Sequence, residues 1–136
     1  MSKLTPDELH SWPKLPAVHQ RLNPTLAHNA TSGRVKLHHE RKCRICPNIR
    51  NLTRHHLIPQ VWFKYRKEEL RILRNANANI VPLCEACHRI VDDQTHPVGR
   101  LQKRAALRDA LYPNEVAFIL QLRGAQWFEQ AYPTNP

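Results

Sequence analysis

Three short segments decide how the chain is read: Cys43-Arg44-Ile45-Cys46, Thr53-Arg54-His55-His56-Leu57-Ile58-Pro59 and Asn79-Ile80-Val81-Pro82-Leu83-Cys84-Glu85-Ala86-Cys87-His88. All 4 cysteines lie here, as two CxxC pairs with a double histidine between them. A CxxC turn offers two thiolates to one side, so two such turns complete the tetrahedral four-sulfur shell of a structural zinc site. Two disulfides, or buried unmodified thiols, are the competing readings. Zinc in such a site contributes on the order of 10–16 kcal/mol of apparent binding energy to folding.

A chain of this composition has use for that contribution. Its 136 residues suit one domain, and 41% hydrophobic with 7% aromatic residues predicts a modest core. With 21 Lys+Arg against 11 Asp+Glu, the formal charge is +10. Such a field attracts polyanions, either nucleic acid or an anionic membrane surface. No apolar run approaches the roughly 20 residues of a membrane span, and the first residues lack the apolar segment of a signal peptide. The expectation is a cytoplasmic protein with nucleic acid as its polyanion and no membrane partner. In a reducing compartment paired cysteines are metal ligands more often than disulfides.

Histidine suits two tasks in one site. Its neutral ring binds a divalent cation, and its pKa of about 6.5 makes it a usable base near neutrality. Adjacent histidines on a regular strand point to opposite faces, so His55 and His56 serve one centre only where the strand bends or ends; Pro59 follows closely. His88 and Asp92 are four residues apart and share one face of a helix, where a nitrogen and a carboxylate oxygen can converge on one metal. An ordinary surface contact, or His88 as a zinc ligand, are the alternatives for that pair.

Around these segments the chain divides into three parts of a single domain, residues 1–136. Residues 1–35 are rich in Pro, Asn, Ser, Thr and His and predict an irregular N-terminal arm, with one capped turn at Thr5–Glu8. Residues 36–96 form the core, with strands expected near Leu52–Ile58 and Asn79–Leu83. A helix is expected from Gln60 to about Arg74 and another from Glu85 to about Gln94. Residues 97–136 predict two helices, roughly Val98–Leu111 and Glu115–Ala131, the second capped by Asn114. In that last helix Val116, Ile119, Leu120 and Trp127 share a face, with Phe118 and Leu122 turned away from it; this pattern predicts a helix sandwiched in the core or used in an oligomer contact. The basic residues Arg54, Lys64, Arg66, Lys67, Arg71 and Arg89, with the i, i+4, i+8 stripe Arg100, Arg104 and Arg108, are the candidate contacts to DNA phosphates. A solvated helix face is the plainer reading of these charges.

The order CxxC, HHLIP, N-x4-CxxCH resembles the HNH endonuclease family, in its zinc-containing form with a ββα-metal core. The resemblance covers about Arg41–Asp93. It implies an α+β fold: a small ββα-metal core with a four-cysteine zinc site (Cys43, Cys46, Cys84, Cys87), surrounded by helices and the N-terminal arm. It also implies hydrolysis of DNA phosphodiester bonds, by nicking or cleavage, with a divalent metal (Mg2+, Mn2+, Ni2+ or Zn2+). By position, His55 matches a metal ligand and His56 the general base that activates water. Asn79 matches an asparagine that orients the base, and His88 the final metal ligand. Asp92 stands where some relatives carry a further ligand. The roughly twenty residues between the two strands depart from the family's short loop. DNA is the implied partner, with a homodimer or a larger DNA-processing machine as candidate assemblies, in a bacterial or phage-infected host cytoplasm. A zinc-stabilised nucleic-acid-binding module without catalysis, or a subunit of a DNA-processing assembly, is the alternative.

Overall fold

The computed structural model describes residues 40–135; the arm, the Thr5–Glu8 turn and the other features of residues 1–39 lie outside the described residues. The described chain is a mixed α/β unit built on one two-stranded antiparallel sheet with short helices around it. Strand β1 (Leu52–His56) pairs with β2 (Ile80–Cys84) in the register Leu52↔Cys84, Arg54↔Pro82 and His56↔Ile80. β2 is buried along its whole length. A proline is tolerated in this buried strand because its backbone edge faces away from β1. There the Pro82 carbonyl accepts a hydrogen bond from Arg44 N–H at 2.9 Å, which ties the first CxxC turn onto the outer edge of the sheet.

Between the strands the expected single helix is broken into α1 (Gln60–Lys64), α2 (Glu68–Arg71) and two 3₁₀ turns, Ile72–Asn75 and Asn77–Asn79. Neither glycine nor proline causes the break. Lys67 takes an extended conformation, and Glu68 and Glu69 place negative charge in the first turn of a new helix, where the helix dipole favours it. Breaking the helix lets Trp62, Phe63, Leu70, Leu73, Ala76 and Ala78 all reach the core. Helix α3 (Glu85–Val91) follows β2 directly and is shorter than expected, ending at Asp92.

Helix α4 (Pro97–Asp109) and helix α5 (Pro113–Ala131) each begin with proline at the first position, where its missing N–H costs nothing. The start of α5 is fixed by Glu115 rather than Asn114: its carboxylate accepts from the Tyr112 backbone N–H at 2.7 Å. Its buried stripe is Glu115, Phe118, Ile119 and Leu122, spaced i, i+3, i+4, i+7 on one face. Val116 and Trp127 from the other expected face pack partly buried against the same core, so of the apolar residues expected on the two faces Leu120 alone is left 40% exposed. Gly124, at φ 85°, kinks α5, a backbone conformation that only glycine adopts readily. Beyond the kink, Phe128 and Tyr132 return to the core.

Arg44 rivets the first CxxC turn to the α4–α5 corner. Its guanidinium donates to both Glu115 carboxylate oxygens (2.7 and 3.0 Å), to Glu40 and to the Ala110 carbonyl, and stacks 3.9 Å from the Tyr112 ring centroid. Glu115 is fully buried, so this pairing is what makes its charge tolerable there. Among the described residues no helix is long and apolar enough to cross a membrane.

Candidate metal centres

The fold brings two sets of metal-ligating side chains together, one from the two CxxC pairs and one from β1 and the end of α3. Sulfurs of Cys43, Cys46, Cys84 and Cys87 lie within 4.8 Å of one another, and none is in a disulfide. The Cys46 and Cys84 sulfurs are 3.7 Å apart. Zinc–sulfur bonds of about 2.3 Å at tetrahedral angles require sulfurs about 3.8 Å apart, so this spacing fits the ion, whereas a disulfide needs about 2.05 Å. The cluster is positioned to bind a metal ion, consistent with structural zinc. Burial pushes the Cys84 thiol up, but the Cys87 backbone N–H and the neighbouring sulfurs outweigh it and bring it down to about 7. Burial and those same sulfurs push Cys87 well up. Four close thiols cannot all ionise without a cation among them, and a divalent ion removes that conflict.

The second set is His55, His88 and Asp92, whose donor atoms also lie within 4.8 Å of one another. The alternation of β1 sends Thr53 and His55 to the face covered by α3 and the end of α5, while Arg54 and His56 take the other. His88 and Asp92 meet across one turn at the end of α3, Nε2 to Oδ2 at 3.2 Å, and His55 Nδ1 lies 3.9 Å from Asp92 Oδ1. The His55 and His88 rings stand edge-to-face with centroids 5.3 Å apart. Each ring has a partner on its far side: His55 Nε2 lies 3.1 Å from the Tyr132 hydroxyl, and His88 Nδ1 lies 2.6 Å from the Thr53 hydroxyl. An open cleft of about 590 Å³ lies over His88 and Asp92, with Glu85, Arg89 and Asp93 on its walls.

Burial and local charge tune these groups. Burial dominates at His55 and, with Arg104, His88 and His56, outweighs the attraction of Asp92, holding its imidazole down to about 3. It is therefore neutral at pH 7, the form that ligates metals. Burial raises the Asp92 carboxyl, but hydrogen bonding to His88 and the charges of His55, His88 and Arg104 outweigh it, so the group sits below its ordinary value.

His56 is outside this trio but within electrostatic reach of it: it ends β1 beside His55, and its charge acts on both His55 and His88. Its Nε2 lies 3.1 Å from Asn75 Oδ1, so Nε2 carries the proton and Nδ1 keeps a lone pair. Burial, with Arg54, His88 and Arg74, lowers its pKa against the opposing Asn75 bond. The Asn79 side chain makes its hydrogen bonds to the backbone rather than to His56. Fully buried, it accepts from Ile58 N–H (2.8 Å) and donates to the Ile58 and Arg74 carbonyls, fixing the chain just after the histidine pair. Asn75, Thr53 and Tyr132 escaped the sequence reading. Thr53 was legible in principle, two residues before His55 on the same strand face, whereas nothing in the sequence marks Asn75 or Tyr132.

The basic residues divide into two groups. Arg54, Lys64, Lys67, Arg71 and Arg89 are exposed. Arg66 is half-buried over the Trp62 ring, and Arg100 is half-buried on α4. Arg104 and Arg108 are turned inward. Arg104 donates to the Val91 and Ala131 carbonyls and lies 3.5 Å from Asp92 Oδ1. Arg108 makes two bonds to the Glu129 carboxylate (2.8 and 2.7 Å) and one to the Tyr132 carbonyl. These two arginines satisfy carbonyls left open at the end of α5, as basic side chains near a helix C-terminus do. No family model, curated protein or solved structure matches the chain.

Proposed function

We propose that the protein is a metal-dependent endonuclease that hydrolyses DNA phosphodiester bonds, on an HNH-like ββα-metal core. The observation that supports this best is the convergence of two imidazoles and a carboxylate from β1 and α3 within 4.8 Å, on the strand that also carries a restrained neutral histidine. His55, His88 and Asp92 would hold a divalent ion, which when bound supplies charge neutralisation at the scissile phosphate and stabilises the leaving oxygen. His56 is the general base. Its Nε2–H is engaged by Asn75, so Nδ1 accepts the proton of the attacking water, and its lowered pKa keeps it unprotonated at pH 7. Asn79 holds the backbone that sets the direction of His56. Exposed Arg54, Lys64, Lys67, Arg71 and Arg89 would contact DNA phosphates without reading bases. The four-cysteine site is structural and takes no part in the reaction.

The test is nicking of supercoiled plasmid by the zinc-loaded protein before and after brief EDTA treatment, with Mg2+, Mn2+ or Ni2+ added back. Relaxed plasmid that disappears with EDTA and returns with one of these ions is the expected result. Tight plasmid binding with no cleavage under any of them would leave a zinc-stapled binding module instead.

A further inference from the structure

We propose that Thr53 and Tyr132 are positioning residues that set the tautomers of His88 and His55 and so build the metal site before any metal arrives; this rests on the reading of His55, His88 and Asp92 as ligands. The inference comes from counting hydroxyl protons. The Tyr132 hydroxyl lies 2.6 Å from the Leu57 carbonyl, and the Thr53 hydroxyl lies 2.8 Å from the Leu83 carbonyl. A hydroxyl has one proton, and a carbonyl can only accept. Both protons are therefore committed to backbone carbonyls, and towards the imidazoles each oxygen offers only lone pairs.

Each ring must then donate. His55 carries its proton on Nε2, pointing at Tyr132, and His88 carries its proton on Nδ1, pointing at Thr53. In the neutral rings the opposite nitrogens, His55 Nδ1 and His88 Nε2, keep lone pairs. These are the two atoms that face Asp92, at 3.9 and 3.2 Å. With both rings neutral, two imidazole lone pairs and a carboxylate converge, and a proton on His88 Nε2, which gives Asp92 its hydrogen bond, is what a metal ion would replace. That arrangement repels itself unless a proton or a metal ion lies among the three. The hydroxyl–imidazole bonds are outer-shell supports of the kind that fix ring orientation and raise ligand basicity.

The two supports come from different parts of the chain. Thr53 lies on the same strand as His55, whereas Tyr132 lies just past the end of α5, fully buried, with Arg104 over its ring and Arg108 on its carbonyl. The last turn of α5 is thereby part of the metal site, although it lies far outside the cysteine–histidine segments.

The direct test reads tautomers. In metal-free-trio, zinc-loaded protein at pH 8, two-bond ¹⁵N–¹H spectra of the imidazoles should show His55 as the Nε2–H form and His88 as the Nδ1–H form. Either ring in the opposite tautomer, or His88 protonated on both nitrogens at that pH, overturns the proposal. Calorimetric titration of Ni2+ then measures the consequence. Tyr132→Phe and Thr53→Val should each weaken Ni2+ binding about 10- to 100-fold, with zinc still held by the cysteines, while Thr53→Ser should restore it. Unchanged Ni2+ affinity in Thr53→Val also overturns it. Correct tautomers and Ni2+ binding in a protein that does not cut DNA would leave this assignment standing and remove only the nuclease reading.

Discussion

At the scale of single residues, His55 shows how burial decides chemistry. A histidine that is 3% exposed, beside Arg104 and two other histidines, stays neutral although a carboxylate lies close by. Its folded-state pKa, about 3, lies below the unfolded value of about 6.5. The folded chain therefore binds fewer protons than the unfolded one between those limits. Stability contributed by neutral His55 is complete above pH 6.5 and is lost as pH falls towards 3. Within that window His55→Gln should show a shallower pH dependence of unfolding free energy than the wild type, by up to about 1.4 kcal/mol per pH unit. Urea titrations of both proteins at pH 6.5, 6.0 and 5.5 check this; parallel slopes would contradict the buried neutral state. His56, one residue on at the end of the strand, is half-buried, and the role proposed for it is a different one. The residue types of the site were legible in the sequence because metal ligation and proton transfer need particular atoms. Their partners were not, because Asn75 and Tyr132 reach the histidines through tertiary packing that leaves no local pattern.

At the scale of elements, periodicity located the segments and misjudged what faces what. The strands and the last two helices lie close to where residue type and the bounding prolines put them, although Asn114 is not the cap of the last helix. The Gln60–Arg74 segment was read as one charged amphipathic helix, yet it folds as two short helices and two 3₁₀ turns that sink their apolar side chains into the core. Its burial depends on the sheet it packs against, which a one-dimensional pattern does not contain. The Arg100, Arg104, Arg108 stripe is the sharper case. Helical spacing is satisfied, but Arg104 and Arg108 are engaged with the end of α5 and with Glu129. Lys64 and Arg108 should consequently behave differently. Lys64→Ala should reduce the slope of log K for DNA against log salt by about 1, with little change in stability. Arg108→Ala should lower the thermal midpoint by several degrees and leave that slope nearly unchanged. Fluorescence anisotropy across a salt series, paired with thermal melts, separates them; equal slope changes would place Arg108 at the phosphates after all.

For the whole molecule, the four cysteines connect parts that the two-stranded sheet alone joins weakly. They tie the Cys43–Cys46 turn to the start of α3, and Arg44 carries that connection on to the α4–α5 corner. Binding energy on the order of 10–16 kcal/mol at a structural zinc rivals or exceeds the 5–15 kcal/mol net stability of ordinary domains. Removing zinc with a strong chelator, or substituting Cys84→Ser, should therefore unfold the chain rather than soften it. Far-ultraviolet circular dichroism would show loss of the helical signal, and a native spectrum in zinc-free protein would contradict the structural role. Brief EDTA treatment that stops cleavage should leave this zinc and the spectrum in place. On the proposed reading the formal +10 charge would draw the molecule to a polyanion, and the exposed basic residues on β1, around α1–α2 and on α3 would give that attraction a surface.

Whether His56 supplies the base of the proposed metal-assisted hydrolysis is read from single-turnover cleavage of a labelled duplex by His56→Ala. The expected rate is at least about a hundredfold below wild type, the scale of a lost general base, with DNA affinity, zinc content and thermal midpoint nearly unchanged. Cleavage by His56→Ala at the wild-type rate would contradict it.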